Sequence, residues 1–140
     1  MINGNTCLKK YGDPKHEKNM ILWNVPDELQ ISKAVPERIY CNLDLVEPLS
    51  KALANLKENG LESELKTWDG CFNIRKVRGS TTSMSLHSWG VAIDVNASEN
   101  GLGQEPQLSP EFVACFTSAG FDWGGNFNRK DGMHFQLAGV

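Results

Sequence analysis

Apolar and polar positions alternate most strictly in two stretches of the chain. From Val91 to Asn96, an extended backbone puts Val91, Ile93 and Val95 on one side and Ala92, Asp94 and Asn96 on the other. From Met133 to Leu137, Met133, Phe135 and Leu137 form an apolar side, with His134 and Gln136 opposite. The period of two predicts two strands, each with its apolar face turned to a core. A helical period governs Leu45, Val46, Leu49, Ala52, Leu53 and Leu56, which predicts a helix from near Asp44 to Gly60. Asp44 and Glu47 have the spacing of a capping box, and Gly60 stands where a left-handed residue would close the last turn. Ser109-Pro110-Glu111 carries the start signals of a second helix, with Phe112, Val113, Phe116 and Ala119 on its inner face and Gly120 at its end.

Shorter signals fill the remainder. Met20 to Val25 is an apolar run stopped by Pro26 and predicts an edge strand, and Arg38 to Cys41 is another short run. Glu64 to Arg75 reads as extended chain with a bend at Asp69-Gly70. Residues 1–18 are polar and contain Gly4, Gly12 and Pro14, so residues 1–42 are expected to form a largely irregular lead-in to a core over residues 43–140. Two helices, several short strands and a C-terminal strand define an α+β domain with helices packed on a small antiparallel sheet.

Composition narrows the class. A chain of 140 residues has room for one domain around one core, and 40% hydrophobic with 22% charged residues are ordinary globular values. With 14 basic against 17 acidic residues, the net charge of −3 supplies no footprint for nucleic acid. No apolar run is long enough to span a membrane, and Met1 to Thr6 lacks the apolar centre of an export signal. The expectation is therefore a monomer made in a cytoplasm, without membrane insertion. Cys7, Cys41, Cys71 and Cys115 are scattered and are expected to be reduced packing thiols, with a Cys71–Cys115 bridge left open.

Candidate chemistry centres on Asp94. A carboxylate inside an apolar run is costly to desolvate unless a cation or several donors meet it. His87 lies seven residues before it. If the two alternating strands lie side by side, His87, Asp94 and His134 converge. Two imidazoles and a carboxylate with a fourth position open are the ligand set of a catalytic zinc, and the mixed nitrogen and oxygen donors suit zinc better than magnesium or calcium. Asp131, three residues before His134, is then positioned to act on an attacking water. The plainer alternatives are that Asp94 caps a loop, His134 fills a polar notch and Asp131 belongs to an Asp-Gly turn. Arg75 and Arg78 precede the His87 motif and can bind a substrate carboxylate or an oxyanion, or else be solvated surface residues. Ser85 is a candidate for substrate binding or ligand orientation, and Trp89 and Trp123 are candidates for core or substrate-binding pocket wall.

The pattern Ser-x-His-x-x-Gly-x-Ala-x-Asp from Ser85 to Asp94, followed by acidic-x-x-His from Asp131 to His134, resembles the M15 family. That family comprises zinc D-Ala-D-Ala carboxypeptidases and phage L-alanyl-D-glutamate endopeptidases, and the likeness runs from about Leu43 to the end. It implies a Hedgehog/DD-peptidase-like fold, zinc held by His87, Asp94 and His134, and Asp131 as general base, the phage enzymes using aspartate there. The family keeps an arginine at the end of the strand before its first histidine. Here Gly70 to Arg75 departs from the usual Ser-Gly-Tyr-Arg, which makes Arg75 the first choice and Arg78 the second. The implied activity is hydrolysis of the peptide stem of peptidoglycan, as in an endolysin of a phage or prophage. Such an enzyme waits in the host cytoplasm until lysis and then acts on the cell wall. A D-alanyl-D-alanine carboxypeptidase is the main alternative, and a zinc-stabilised binding or virion-structural module is the non-enzymatic one.

Overall fold

The two alternating stretches pair with each other. In the computed structural model, which describes residues 1–140, strands β4 (Ala92–Val95) and β6 (His134–Leu137) run antiparallel. Ala92 stands opposite Gln136, Ile93 opposite Phe135 and Asp94 opposite His134. Strands β3 (Trp68–Gly70) and β5 (Phe121–Trp123) complete a four-stranded sheet in the order β3-β4-β6-β5. Its apolar face presents Ile93, Val95, Phe135 and Leu137, all buried. Helices α2 (Leu43–Glu58) and α3 (Pro110–Thr117) pack on that face, and the same core takes in Cys7, Tyr11, Ile39 and Cys41 from the first part of the chain. Phe116 lies on Phe135 with ring centroids 4.5 Å apart, and Phe112 touches both rings. With three helices and two small antiparallel sheets, the class is α+β, as the hydrophobic pattern predicts.

The α2 stripe is as expected, with Leu45, Leu49, Ala52, Leu53 and Leu56 buried. Gly60 has φ of 68° and closes the helix, Leu61 N–H donating to Leu56 O and Gly60 N–H to Lys57 O. The start differs from the expected Asp44–Glu47 box. Asn42 is the cap, its Oδ1 accepting from Asp44 N–H at 2.9 Å while its Nδ2 donates to Trp89 O at 3.1 Å. Asp44 is thereby free to accept from the Tyr11 hydroxyl. Helix α3 begins as its signals predict, with Ser109 accepting from Phe112 N–H.

The first forty-two residues are more regular than the expected lead-in. Helix α1 (Gly4–Tyr11) is capped reciprocally by Asn3 and Thr6, and strands β1 (Met20–Asn24) and β2 (Arg38–Asn42) form a separate antiparallel pair. Within α1, burial is confined to Cys7 and Tyr11, so its sequence has hardly any apolar stripe. The helix is held instead by Trp89 Nε1 donating to Gly12 O and by the Tyr11 contact. Asn96 also departs from expectation. It adopts φ of 53° and leaves the strand, its side chain bonding the 64–67 backbone rather than joining Asp94. All four cysteines are free and buried.

Candidate metal centre and its cleft

His87 sits in a 3-10 turn, Leu86–Trp89, whose start is capped by the Ser85 hydroxyl accepting from His87 N–H at 3.2 Å. Gly90 ends the turn with φ of 67°, and a Cβ there would approach Asn42 N to 2.8 Å, so the position requires glycine. The Nδ1 of His87 lies 2.7 Å from Cys71 O. A carbonyl only accepts, so Nδ1 carries the hydrogen and Nε2 is left bare. That nitrogen is 3.2 Å from Asp94 Oδ2 without hydrogen-bond geometry.

The cross-strand pairing of Asp94 with His134 supplies the other two groups. His134 Nδ1 is 3.5 Å from Asp94 Oδ1 and 4.0 Å from Asp131 Oδ2, and the two imidazole rings are 5.1 Å apart between centroids. One donor atom from each of His87, Asp94 and His134 lies within 4.8 Å of the others. His87 Nε2 and Asp94 Oδ1 are buried without any hydrogen-bond partner. Each such atom forfeits about 1–3 kcal/mol unless something else meets it. A divalent cation at the common point would satisfy both, and the donor set is that of a three-ligand zinc site.

The electrostatics agree with that fit. Burial pushes the Asp94 carboxyl upward, but His134 and His87 outweigh it and hold the group well below the usual carboxylate range. Burial pushes His134 down, and the neighbouring Asp94 and Asp131 outweigh that in turn, so its net shift is upward. Asp131 is raised, chiefly by burial, with His134 opposing.

Asp131 is held by a tight turn. Its N–H donates to Gly124 O at 2.9 Å, and its carbonyl accepts from His134 N–H at 3.0 Å. Gly124 packs so closely that a Cβ would come within 2.3 Å of Asp131 O and 3.1 Å of His134 Cβ. Trp123 lies behind this turn and outside the cleft, its indole N–H donating to Gly132 O at 2.8 Å. It braces the turn and offers the cleft no wall.

The site opens into a cleft of about 990 Å³ lined by Arg75, Arg78, Ser85, His87, Trp89, Asp94, Asp131 and His134, among others. Trp89 is 4% exposed and its indole is engaged by Gly12 O, so it gives the cleft floor rather than a free contact. Arg75 is near enough for its charge to pull the Asp131 pKa down. Two features escaped the sequence reading. Arg129 lines the cleft and donates to Arg78 O at 2.6 Å, and residues Met1 to Asn5 form part of the wall. A third basic residue two positions before Asp131 was a usable signal for the first; nothing in the pattern marked the second.

Residues 78–137 match the M15 peptidase family model described as D-alanyl-D-alanine carboxypeptidase. The match supports an M15-type peptidase and spans the stretch that carries His87, Asp94, Asp131 and His134. No curated protein and no solved structure matches the chain.

Proposed function

We propose that this chain is a zinc-dependent peptidase that hydrolyses the peptide stem of peptidoglycan, as an L-alanyl-D-glutamate endopeptidase of the phage or prophage endolysin type. The observation that carries the reading is the pair of partnerless buried atoms, His87 Nε2 and Asp94 Oδ1, beside His134 and Asp131 at the base of an open cleft. His87, Asp94 and His134 would hold the ion. When bound, zinc lowers the pKa of a water and polarises the scissile carbonyl.

The chain's own residues do the rest. Asp131, with Oδ2 4.0 Å from His134 Nδ1, takes the proton from the attacking water and returns it to the leaving amine. In the metal-free chain, burial raises the pKa of its carboxyl. Arg75 and Arg78 on the cleft wall bind a stem carboxylate or the oxyanion. Ser85 fixes the turn that presents His87.

The description of the matched family favours one second reading, removal of the terminal D-alanine by a D-alanyl-D-alanine carboxypeptidase. Defined muropeptides incubated with the zinc-loaded chain separate the two by product mass. An internal cut between L-alanine and D-glutamate is expected, whereas loss of a single alanine would establish the carboxypeptidase. Intact muropeptides with zinc bound would contradict both and leave a binding or virion-structural module. For the base, Asp131→Ala should keep zinc and lose a factor of about 100 to 10,000 in turnover. Loss of zinc from that variant would make Asp131 a ligand instead.

A further inference from the structure

His134 and Gln136 are two residues apart on β6, so both side chains leave the strand on the same face. Gln136 is 4% exposed, and both ends of its amide are engaged. Its Nε2 donates to Ile2 O at 3.3 Å, and its Oε1 lies 3.0 Å from His134 Nε2. The two ends of an amide are alike in shape and opposite in chemistry. A backbone carbonyl only accepts, so Ile2 O takes the NH₂ end and turns the amide oxygen toward the imidazole. That oxygen also only accepts, so His134 Nε2 carries the hydrogen. Nδ1 is then the bare nitrogen, and it is the one 3.5 Å from Asp94 Oδ1.

We infer that Gln136 is a positioning residue for His134, and that the Ile2 carbonyl, through Gln136, selects which nitrogen of His134 is open to a metal. The inference rests on the metal-binding reading above and extends it to a segment that lies outside the matched residues 78–137. The two histidines present opposite nitrogens, and a backbone carbonyl fixes each choice. Cys71 O acts on His87 directly, and Ile2 O acts on His134 through one side chain. An N-terminal segment whose side chains supply no metal ligand thus becomes part of the centre. Its place against the cleft is set by close packing, since a Cβ on Gly4 would approach Met84 O to 2.9 Å.

The test combines nitrogen NMR of histidine in the metal-free protein, at a pH where His134 is neutral, with zinc competition against a chelating dye. In the native chain His134 should hold its hydrogen on Nε2 alone, and a Gln136 side-chain amide proton should resist solvent exchange. Gln136→Met removes the acceptor, and should mix the two tautomers and weaken zinc binding by about 10- to 100-fold. Gln136→Glu keeps an oxygen facing His134 and should hold the Nε2–H form. A native His134 with its hydrogen on Nδ1, or a Gln136→Met protein with unchanged tautomer and zinc affinity, would overturn the inference. Should Gln136→Met fail to fold, the native spectrum still decides. A native chain that binds no zinc would instead overturn the metal-binding reading, with the tautomer measurement still deciding the role of Gln136.

Discussion

Protonation of His134 competes with the proposed metal for the same nitrogen. Burial disfavours its charged form, but Asp94 and Asp131 more than offset this and raise its pKa above the ordinary 6.5. A proton must therefore leave before the ligand can bind, and zinc affinity should rise with pH until the raised value is passed and then level off. Calorimetric titrations over a pH series check this, and an affinity flat between pH values on either side of the His134 titration would contradict it. Gly124 offers a second test at the same scale. Gly124→Ala brings a methyl against Asp131 O and His134 Cβ, so it should destabilise the fold by about 1–3 kcal/mol and displace the base. Denaturant melts and turnover read the two effects. The grouping of His87, Asp94 and His134 was legible because alternation put the last two on facing strands. The hydrogen bonds that choose their nitrogens were not, since they run to carbonyls of Cys71 and, through Gln136, of Ile2, far away along the chain.

At the scale of elements, what could be read from the sequence depends on whether each segment buries a face. β4, β6, α2 and α3 each carry an apolar side with a definite period and were all visible. α1 was not, because Cys7 and Tyr11 are its only buried residues and tertiary hydrogen bonds hold it in place. The cap of α2 was misplaced by two residues because Asn42 ends β2 and caps the helix at once, and Asp44 looked equally suited. Asn42 also bonds Trp89 O next to the His87 turn. Asn42→Ala should accordingly cost about 1–3 kcal/mol, combining a lost cap with an unsatisfied buried carbonyl. Asp44→Ala leaves the cap intact, and a urea melt in which it proved the more damaging of the two would contradict this assignment.

Over the whole molecule, the buried thiols tie stability to alkaline pH. Burial pushes Cys7 and Cys41 up to about 11 from 9.0, so the folded chain keeps them neutral while the unfolded chain ionises first. Stability is therefore full below pH 9 and falls as pH rises toward 11, by about 2–3 kcal/mol for each thiol. Denaturation midpoints that stay level to pH 10.5 would refute this. The same fold joins the N-terminal segment, the His87 turn and β6 around one cleft, which is why a short region of sequence likeness understates the site. The proposed activity requires one ion held by His87, Asp94 and His134. Zinc titrated into the purified chain should bind at one ion per molecule, and the His87→Ala, His134→Ala double variant should bind none at that site. A native chain that takes up no zinc, or a double variant that binds it as tightly as the native chain, would contradict the account.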